Sequence, residues 1–255
     1  MPSVDLNSDL GEGFGRYAFG LDAQILEVVS SCNIACGLHA GDPIVMNRTV
    51  ELAAKTGASI GAHPGYPDLQ GFGRRDMALT PDEIYATVLY QIGALDGFCR
   101  AHNVPMVHVK PHGQLYNRCA VDADAAAAAA KAVYDYNPNL VLVGLAGGKL
   151  IEAGEALGLT TSCEFFADRN YTPEGKLVSR REPNAMIKDE EFAVKRVVEA
   201  VKSGSVEAVD GSVIPLRIDT ICVHGDNEFA LAFAAQIRKA LEDAGVTVEA
   251  KKAIA

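Results

Sequence analysis

The 255-residue chain has no basic stripe, no long apolar run and no phosphate-cradling glycine motif, and each absence removes a class of function. Acids outnumber bases 33 to 23, and the formal charge of −10 is spread along the chain rather than gathered in a tail. Without Lys and Arg clustered among aromatics, neither nucleic acid nor an anionic membrane is expected as a main partner. Local arginines still allow an anionic substrate. The longest apolar tract, residues 121–133, is alanine broken by acids and a lysine, too short and too polar to span a bilayer. Gly11-Glu-Gly13-Phe-Gly15 lacks the dinucleotide-binding spacing, and Gly147-Gly148-Lys149 lacks the upstream glycine of a P-loop and runs into Leu150. No secretory leader is recognisable ahead of the first strand pattern, so a cytoplasmic protein is expected. Its six cysteines (Cys32, Cys36, Cys99, Cys119, Cys163, Cys222) are then expected to be reduced and buried.

What is present is an alternation of short apolar runs with helical patterns. Strands are expected at 4–6, 32–36, 59–62, 106–109, 140–145, 161–165 and 220–224, each brief and apolar as in a parallel sheet covered on both sides. Helix starts are marked by Asp42-Pro43, by the capping box Thr80-Pro81-Asp82-Glu83, by Asp122, by Asp189 and by Asp226 or Asn227; Gly57 and Gly245 mark helix ends. Polar residues recur at nearly every strand end, which favours a barrel of seven strands with irregular closure over an open doubly wound sheet. Asp210-Gly211 sits between two short apolar stretches as a small added hairpin. Nothing reads as a linker, so one α/β domain is expected over residues 1–255. Two long connections, 64–77 and 166–187, are expected to be functional.

Four histidines follow short apolar runs and precede small or turn-forming residues: His39, His63, His112 and His224. Asn7-Ser-Asp9-Leu-Gly-Glu12 has the same form with acids and an amide. Asp9, His39 and His63 follow the first three strands and could form a three-ligand divalent metal site with an open position, or a metal-free cluster that positions substrate. Strand alternation sends residues 108 and 110 to the barrel interior, which makes Lys110 a candidate for polarising a carbonyl or holding an anion; the alternative is a lysine that reaches solvent. His112 is either a site residue or a turn histidine. His108 reads as a satisfied interior residue and His102 as a helix C-cap. His224 and Asp226 are candidates for an acid–base pair, with Asp226 equally suited to N-cap the next helix. Cys32-x3-Cys36 reads as strand packing.

Taken together, Asn7–Glu12, Asn33–Gly37 through His39-Ala-Gly-Asp42, Gly61-Ala-His63-Pro-Gly65 with Gly71-Phe-Gly-Arg-Arg75, Val109-Lys-Pro-His112-Gly, Phe166-Ala-Asp168-Arg169-Asn-Tyr171 and Val223-His-Gly-Asp226 resemble the LamB/YcsF family, whose members include a 5-oxoprolinase component. The likeness runs nearly the whole length. It implies an irregular seven-stranded β/α barrel related to glycoside hydrolase/deacetylase barrels, and ATP-dependent opening of 5-oxoproline to glutamate with partner subunits B and C. ATP would be a co-substrate, with Mg expected. On that resemblance Asp9, His39, His63, Lys110 and His112 form the catalytic centre. Lys110 stabilises the developing oxyanion, and Asp9 with a histidine activates water directly or through a metal. Arg74, Arg75, Arg169 or Arg181 would bind the substrate carboxylate or phosphate, and Asn7, His224 and Asp226 are further substrate-binding candidates. The rival readings are a stand-alone metal-dependent deacetylase or amidohydrolase, and a non-catalytic lactam-binding or regulatory protein.

Overall fold

In the computed structural model, residues 2–18, 20–179, 182–223 and 228–251 are described. Chain order is β1 (Ser3–Leu10), α1 (Asp22–Ile25), β2 (Ser31–Ala35), α2 (Pro43–Thr56), β3 (Ser59–His63), α3 (Pro81–Ala101), β4 (Met106–Val109), α4 (Gly113–Val121) and α5 (Ala123–Tyr136). There follow β5 (Val141–Leu145), α6 (Lys149–Ala156), β6 (Thr160–Phe166), α7 (Glu190–Ser203), β7 (Ser205–Glu207), β8 (Val213–Pro215), β9 (Thr220–Cys222), α8 (Glu228–Asp243) and β10 (Thr247–Val248). Strands β1 to β6 pair in sequence and in parallel, β6 pairs with β9, and β9 pairs back onto β1, which closes a seven-stranded barrel in a single domain. Strand β10 extends the sheet at the start of β1, and β7 with β8 makes the expected antiparallel hairpin.

The helix signals act as their chemistry requires. The Asp42 carboxylate accepts from the Ile44 and Val45 amides, and Gly57 ends α2 in the left-handed region at φ 78°. Thr80 and Glu83 close a full capping box on α3. Asp122 caps α5 and Asp189 caps α7, while the start expected at Asp226 or Asn227 lies outside the described residues. Helices α4 and α6 were not expected from the periodicity, being only nine and eight residues long. Among the described residues no helix is long and apolar enough to cross a membrane.

The barrel is inside out relative to a hydrocarbon core. In β1 the apolar Val4, Leu6 and Leu10 join the cluster packed under the helices, while Asp5, Asn7 and Asp9 alternate to the other side. Asn7 reaches Lys110 beyond β4 and Glu164 on β6, strands that do not neighbour β1, so these side chains meet across the lumen. The expected first strand, 4–6, is therefore too short: the polar residues that suggested a loop are the inward half of a strand that continues to Leu10.

Closure is irregular where the lumen is tightest. The β3–β4 register shifts between Ile60 and Gly61, and a Cβ on Gly61 would lie 2.1 Å from Nε2 of His108. That ring nitrogen donates to Asn33 Oδ1 at 2.8 Å, which makes His108 the satisfied interior residue expected. Burial and the nearby Lys110 charge hold its pKa down to about 3. His108 therefore stays neutral in the fold while an unfolded chain protonates near pH 6.5. Its stabilising contribution is complete above that pH and is lost as pH falls toward 3, at up to about 1.4 kcal/mol per pH unit. Urea denaturation at pH 7 and pH 5 should show the His108→Gln variant losing about 2 kcal/mol less than the parent across that interval. Equal losses would show that His108 is not the sensitive group.

Candidate active site

At the upper end of the lumen Lys110 is locked rather than presented. Its Nζ lies 2.7 Å from Glu164 Oε1, 3.0 Å from Asp9 Oδ1 and 3.1 Å from Asn7 Oδ1, with Cys222 Sγ at 3.4 Å. Burial alone would discharge the ammonium, but Asp9, Cys222 and Glu164 reverse that and raise its pKa well above the ordinary value. Burial likewise opposes ionisation of Asp9, yet His63 and Lys110 outweigh it and hold that carboxyl well below its usual range. Asn7 is fully used: its amide donates to Glu164 and Thr220, and its oxygen accepts from Asn33 and Lys110.

Above this floor lie three imidazoles. His63 Nδ1 donates to the Lys110 carbonyl at 2.7 Å, and His112 Nε2 donates to the Phe72 carbonyl at 2.8 Å. With those nitrogens carrying hydrogens, His63 Nε2 and His112 Nδ1 turn lone pairs toward each other across 3.0 Å. His39 stacks flat on His112, with ring centroids 3.7 Å apart and planes 5° from parallel, and neither of its nitrogens makes a hydrogen bond. Burial, reinforced by neighbouring imidazoles, lowers the pKa of His39 well below its ordinary value and brings His112 to about 3. Glu12 Oε1 stands 3.6 Å from both His39 Nε2 and His112 Nδ1.

The loop after β3 is shaped to let these rings meet. A Cβ at Gly65 would fall 2.5 Å from His39 Nδ1, and one at Gly73 would fall 2.8 Å from His112 Cδ2. Phe72 is held at φ 55°, a conformation a bulky residue adopts only under constraint, and there its carbonyl orients His112. Asp68 closes the turn by accepting from the Gly71 amide and from Arg75.

A cavity of about 680 Å³ opens over the imidazoles, with Asp9, Glu12, His39 and His112 at its base. Its sides carry Phe14, Tyr17, Leu69 and Phe72, and Arg74 stacks over the Phe72 ring at 5.1 Å. Arg74 is the one cation lining this cavity among the described residues. Arg75 turns away to Asp68, and buried Arg169 donates to the Val178 carbonyl. The loop 166–187 packs on itself through Arg169–Met186 and Tyr171–Leu177 bridges and, among its described residues, contributes nothing to the cavity wall. Arg181, His224 and Asp226 lie outside the described residues.

The geometry has counterparts among known proteins. The profile of the LamB/YcsF family matches residues 4–255. The chain belongs to the LamB/YcsF family. A protein named as the A subunit of 5-oxoprolinase, from Bacillus licheniformis, is 55% identical over 98% of this chain and 99% of its own length. The protein of the same name from Pyrococcus abyssi is 53% identical over 96% of each. The crystal structure titled lactam utilization protein, from Thermus thermophilus, superposes with a TM-score of 0.93 at 46% identity, covering 98% of this chain and all of that one.

Within this LamB/YcsF barrel, three expectations change. The converging donors that could hold a metal are Glu12, His39, His63 and His112, all with a ligand atom within 4.8 Å of one another. Asp9, expected as a ligand, is instead engaged by Lys110 and by His63 at 3.3 Å. Lys110, expected to face the substrate, is 3% exposed and saturated beneath Asp9, so its charge acts through that carboxylate. Asn7 and Arg169, expected to bind substrate, are committed to internal hydrogen bonds. His102, as expected, caps α3, and it also bonds Asn47. Cys32 and Cys36 are free and buried, as packing residues should be.

Glu164 was missed. Its sequence signal is a single acid at an alternate position of an otherwise buried strand, between Cys163 and Phe165. Glu12 was visible in its motif but was not assigned a role. Removing Glu164 leaves a buried ammonium with half its compensation, so Glu164→Ala should lower stability by about 3 kcal/mol. A companion Lys110→Met substitution in that background should restore part of the loss, read by chemical denaturation. An unchanged midpoint in Glu164→Ala would show the pair to be idle.

Proposed function

We propose that this chain is the A component of an ATP-dependent 5-oxoprolinase that opens 5-oxoproline to L-glutamate together with subunits B and C, in the cytoplasm. The observation that carries this reading is the cavity itself, in which one cation, Arg74, faces an acid held ionised at the floor, Asp9. The names of full-length relatives and of the solved lactam utilization protein support it.

A five-membered lactam is an unreactive amide that carries one carboxylate. Arg74 is placed to pair with that carboxylate at the cavity mouth, and the Phe72 ring beneath it limits where the guanidinium can go. The apolar walls from Phe14, Tyr17 and Leu69 suit the ring methylenes. Asp9, anchored through Oδ1 by Lys110, takes a proton from water as the oxygen adds to the ring carbonyl carbon. The same carboxyl returns that proton to the ring nitrogen as the C–N bond breaks, which leaves a carboxylate and an amine. Lys110 keeps Asp9 ionised between turnovers and fixes its orientation.

ATP, with Mg, would supply activation of the lactam oxygen by phosphorylation, with ADP leaving at that transfer; ring opening by the first water would then give an acyl phosphate, and a second water would release phosphate and the carboxylate. A divalent ion held by residues of the Glu12, His39, His63 and His112 cluster would supply Lewis acidity; the donor set and the bare His39 nitrogens fit one. With a metal the same cavity would also serve a stand-alone amidohydrolase, so the partner requirement decides between the readings.

Reconstitution with subunits B and C should give 5-oxoproline-dependent ADP release that this chain alone does not. Asp9→Asn should lower kcat by about 10²–10⁴-fold. Arg74→Ala should raise KM for 5-oxoproline at least about tenfold with a smaller change in kcat, since it removes a charge-assisted contact of about 1.5–3 kcal/mol. Turnover by this chain alone, or full activity in Asp9→Asn, would overturn the reading.

A further inference from the structure

The imidazole tier gathers ring nitrogens and a carboxylate oxygen in one small space. Both His63 Nδ1 and His112 Nε2 face carbonyl oxygens, which only accept, so both nitrogens must carry hydrogen. That turns His63 Nε2 and His112 Nδ1 toward each other at 3.0 Å, with Glu12 Oε1 3.6 Å from the second and Asp9 Oδ2 3.3 Å from the first. Ligand atoms of Glu12, His39, His63 and His112 all lie within 4.8 Å of one another, a spacing at which they can share one ion.

We propose that His63 Nε2, His112 Nδ1 and Glu12 bind a borderline divalent transition ion such as Zn²⁺ or Co²⁺, with a coordination position open to the cavity. Two imidazoles and a carboxylate are the donor set such ions prefer, whereas Mg²⁺ and Ca²⁺ favour all-oxygen sites. Each imidazole already has the outer partner that metal-binding histidines use, a backbone carbonyl that fixes tautomer and ring angle. The rings stand nearly perpendicular, at 86°, and the His63, His112 and Glu12 ligand atoms lie within 4.8 Å of one another.

Charge points the same way. Asp9 and Glu164 hold the buried Lys110 ammonium between them, while Glu12 stands beside the imidazoles without that ammonium, so a cation there has a carboxylate to meet. His39 has another part. It stacks parallel on His112 with centroids 3.7 Å apart, and its Nε2 stands 3.6 Å from the same Glu12 oxygen. It buttresses the His112 ring. This assignment leaves Asp9 outside the ligand set, with its Oδ1 on Lys110 and its Oδ2 3.3 Å from His63 Nε2.

The inference stands on donor geometry and is tested without any lactam, so its failure and the failure of the 5-oxoprolinase reading are separate events. Chelator-treated protein is titrated with Co²⁺ and followed by visible absorption, then challenged with Zn²⁺. Stoichiometric Co²⁺ binding with a d–d spectrum of low coordination number, bleached by Zn²⁺ and unaffected by Mg²⁺, is expected. His112→Ala and Glu12→Gln should each weaken binding by at least about tenfold, and His39→Ala by less than either. Glu12 is partly exposed at the cavity base, so Glu12→Gln keeps the fold and the test holds if a histidine variant unfolds. Absence of saturable Co²⁺ binding in the parent protein, or equal binding in Glu12→Gln, would overturn the proposal.

Discussion

An ammonium pinned between two carboxylates below the mouth of the barrel sets the geometry of everything above it. Lys110 bonds Glu164 on one side and Asp9 on the other, and its own backbone carbonyl orients His63. One residue thus fixes the charge state of the acid at the cavity floor and the tautomer of the first imidazole. His63 in turn faces His112, which is held from its far side by the constrained Phe72 carbonyl. The site is a stack of mutually orienting groups, and each layer is positioned by the one beneath it.

Such a stack is costly to bury, since unpaired charges and amides in a lumen lose their hydration. The barrel meets that cost by near-complete pairing. Asp5 accepts from Ser30, Ser31 and Thr220, Asn7 uses all four of its hydrogen-bonding positions, and Asn33 links Asn7 and Asp9 to His108. Cohesion comes from the other side of the strands, where Leu6, Ile34, Ile60, Val109, Leu142, Phe165 and Ile221 pack beneath the helices. The two sides of each strand have separate tasks: the outer side holds the fold together, and the inner side holds the chemistry in place.

This division explains what was legible in the sequence. The strands stood out because their outward residues are apolar, and the helices because Asp42, Thr80, Asp122 and Asp189 are caps with an evident partner. The family likeness rested on strand-end motifs, and His39, His63 and His112 do gather at one cavity. Inward polar residues were harder to read. Asp9 looked like a loop residue beyond a strand because nothing local distinguishes a polar lumen from solvent. Glu164 was hidden because its partner lies 54 positions earlier in the numbering, at Lys110. The choice between Asp9 and Glu12 beside the imidazoles depended on a three-residue turn through Gly11, which adopts φ 68°. Spacing along the chain does not encode which acid such a turn presents.

Closure of the barrel by β1 against β9 has a consequence for synthesis. The first strand finds one of its lateral neighbours, Thr220–Cys222, only after all of the chain between them has been made. At ribosomal rates that is a wait of roughly 10–45 s, during which Asp5, Asn7 and the sheet edge beside them have no Thr220 or Glu164 to meet. A nascent chain of this architecture therefore carries an open edge at β1 until β9 emerges. That one side of the strand carries Asp5, Asn7 and Asp9 is a protection in itself, because inward-pointing charged and polar residues on an unpaired edge oppose pairing with another chain while its partner is being made.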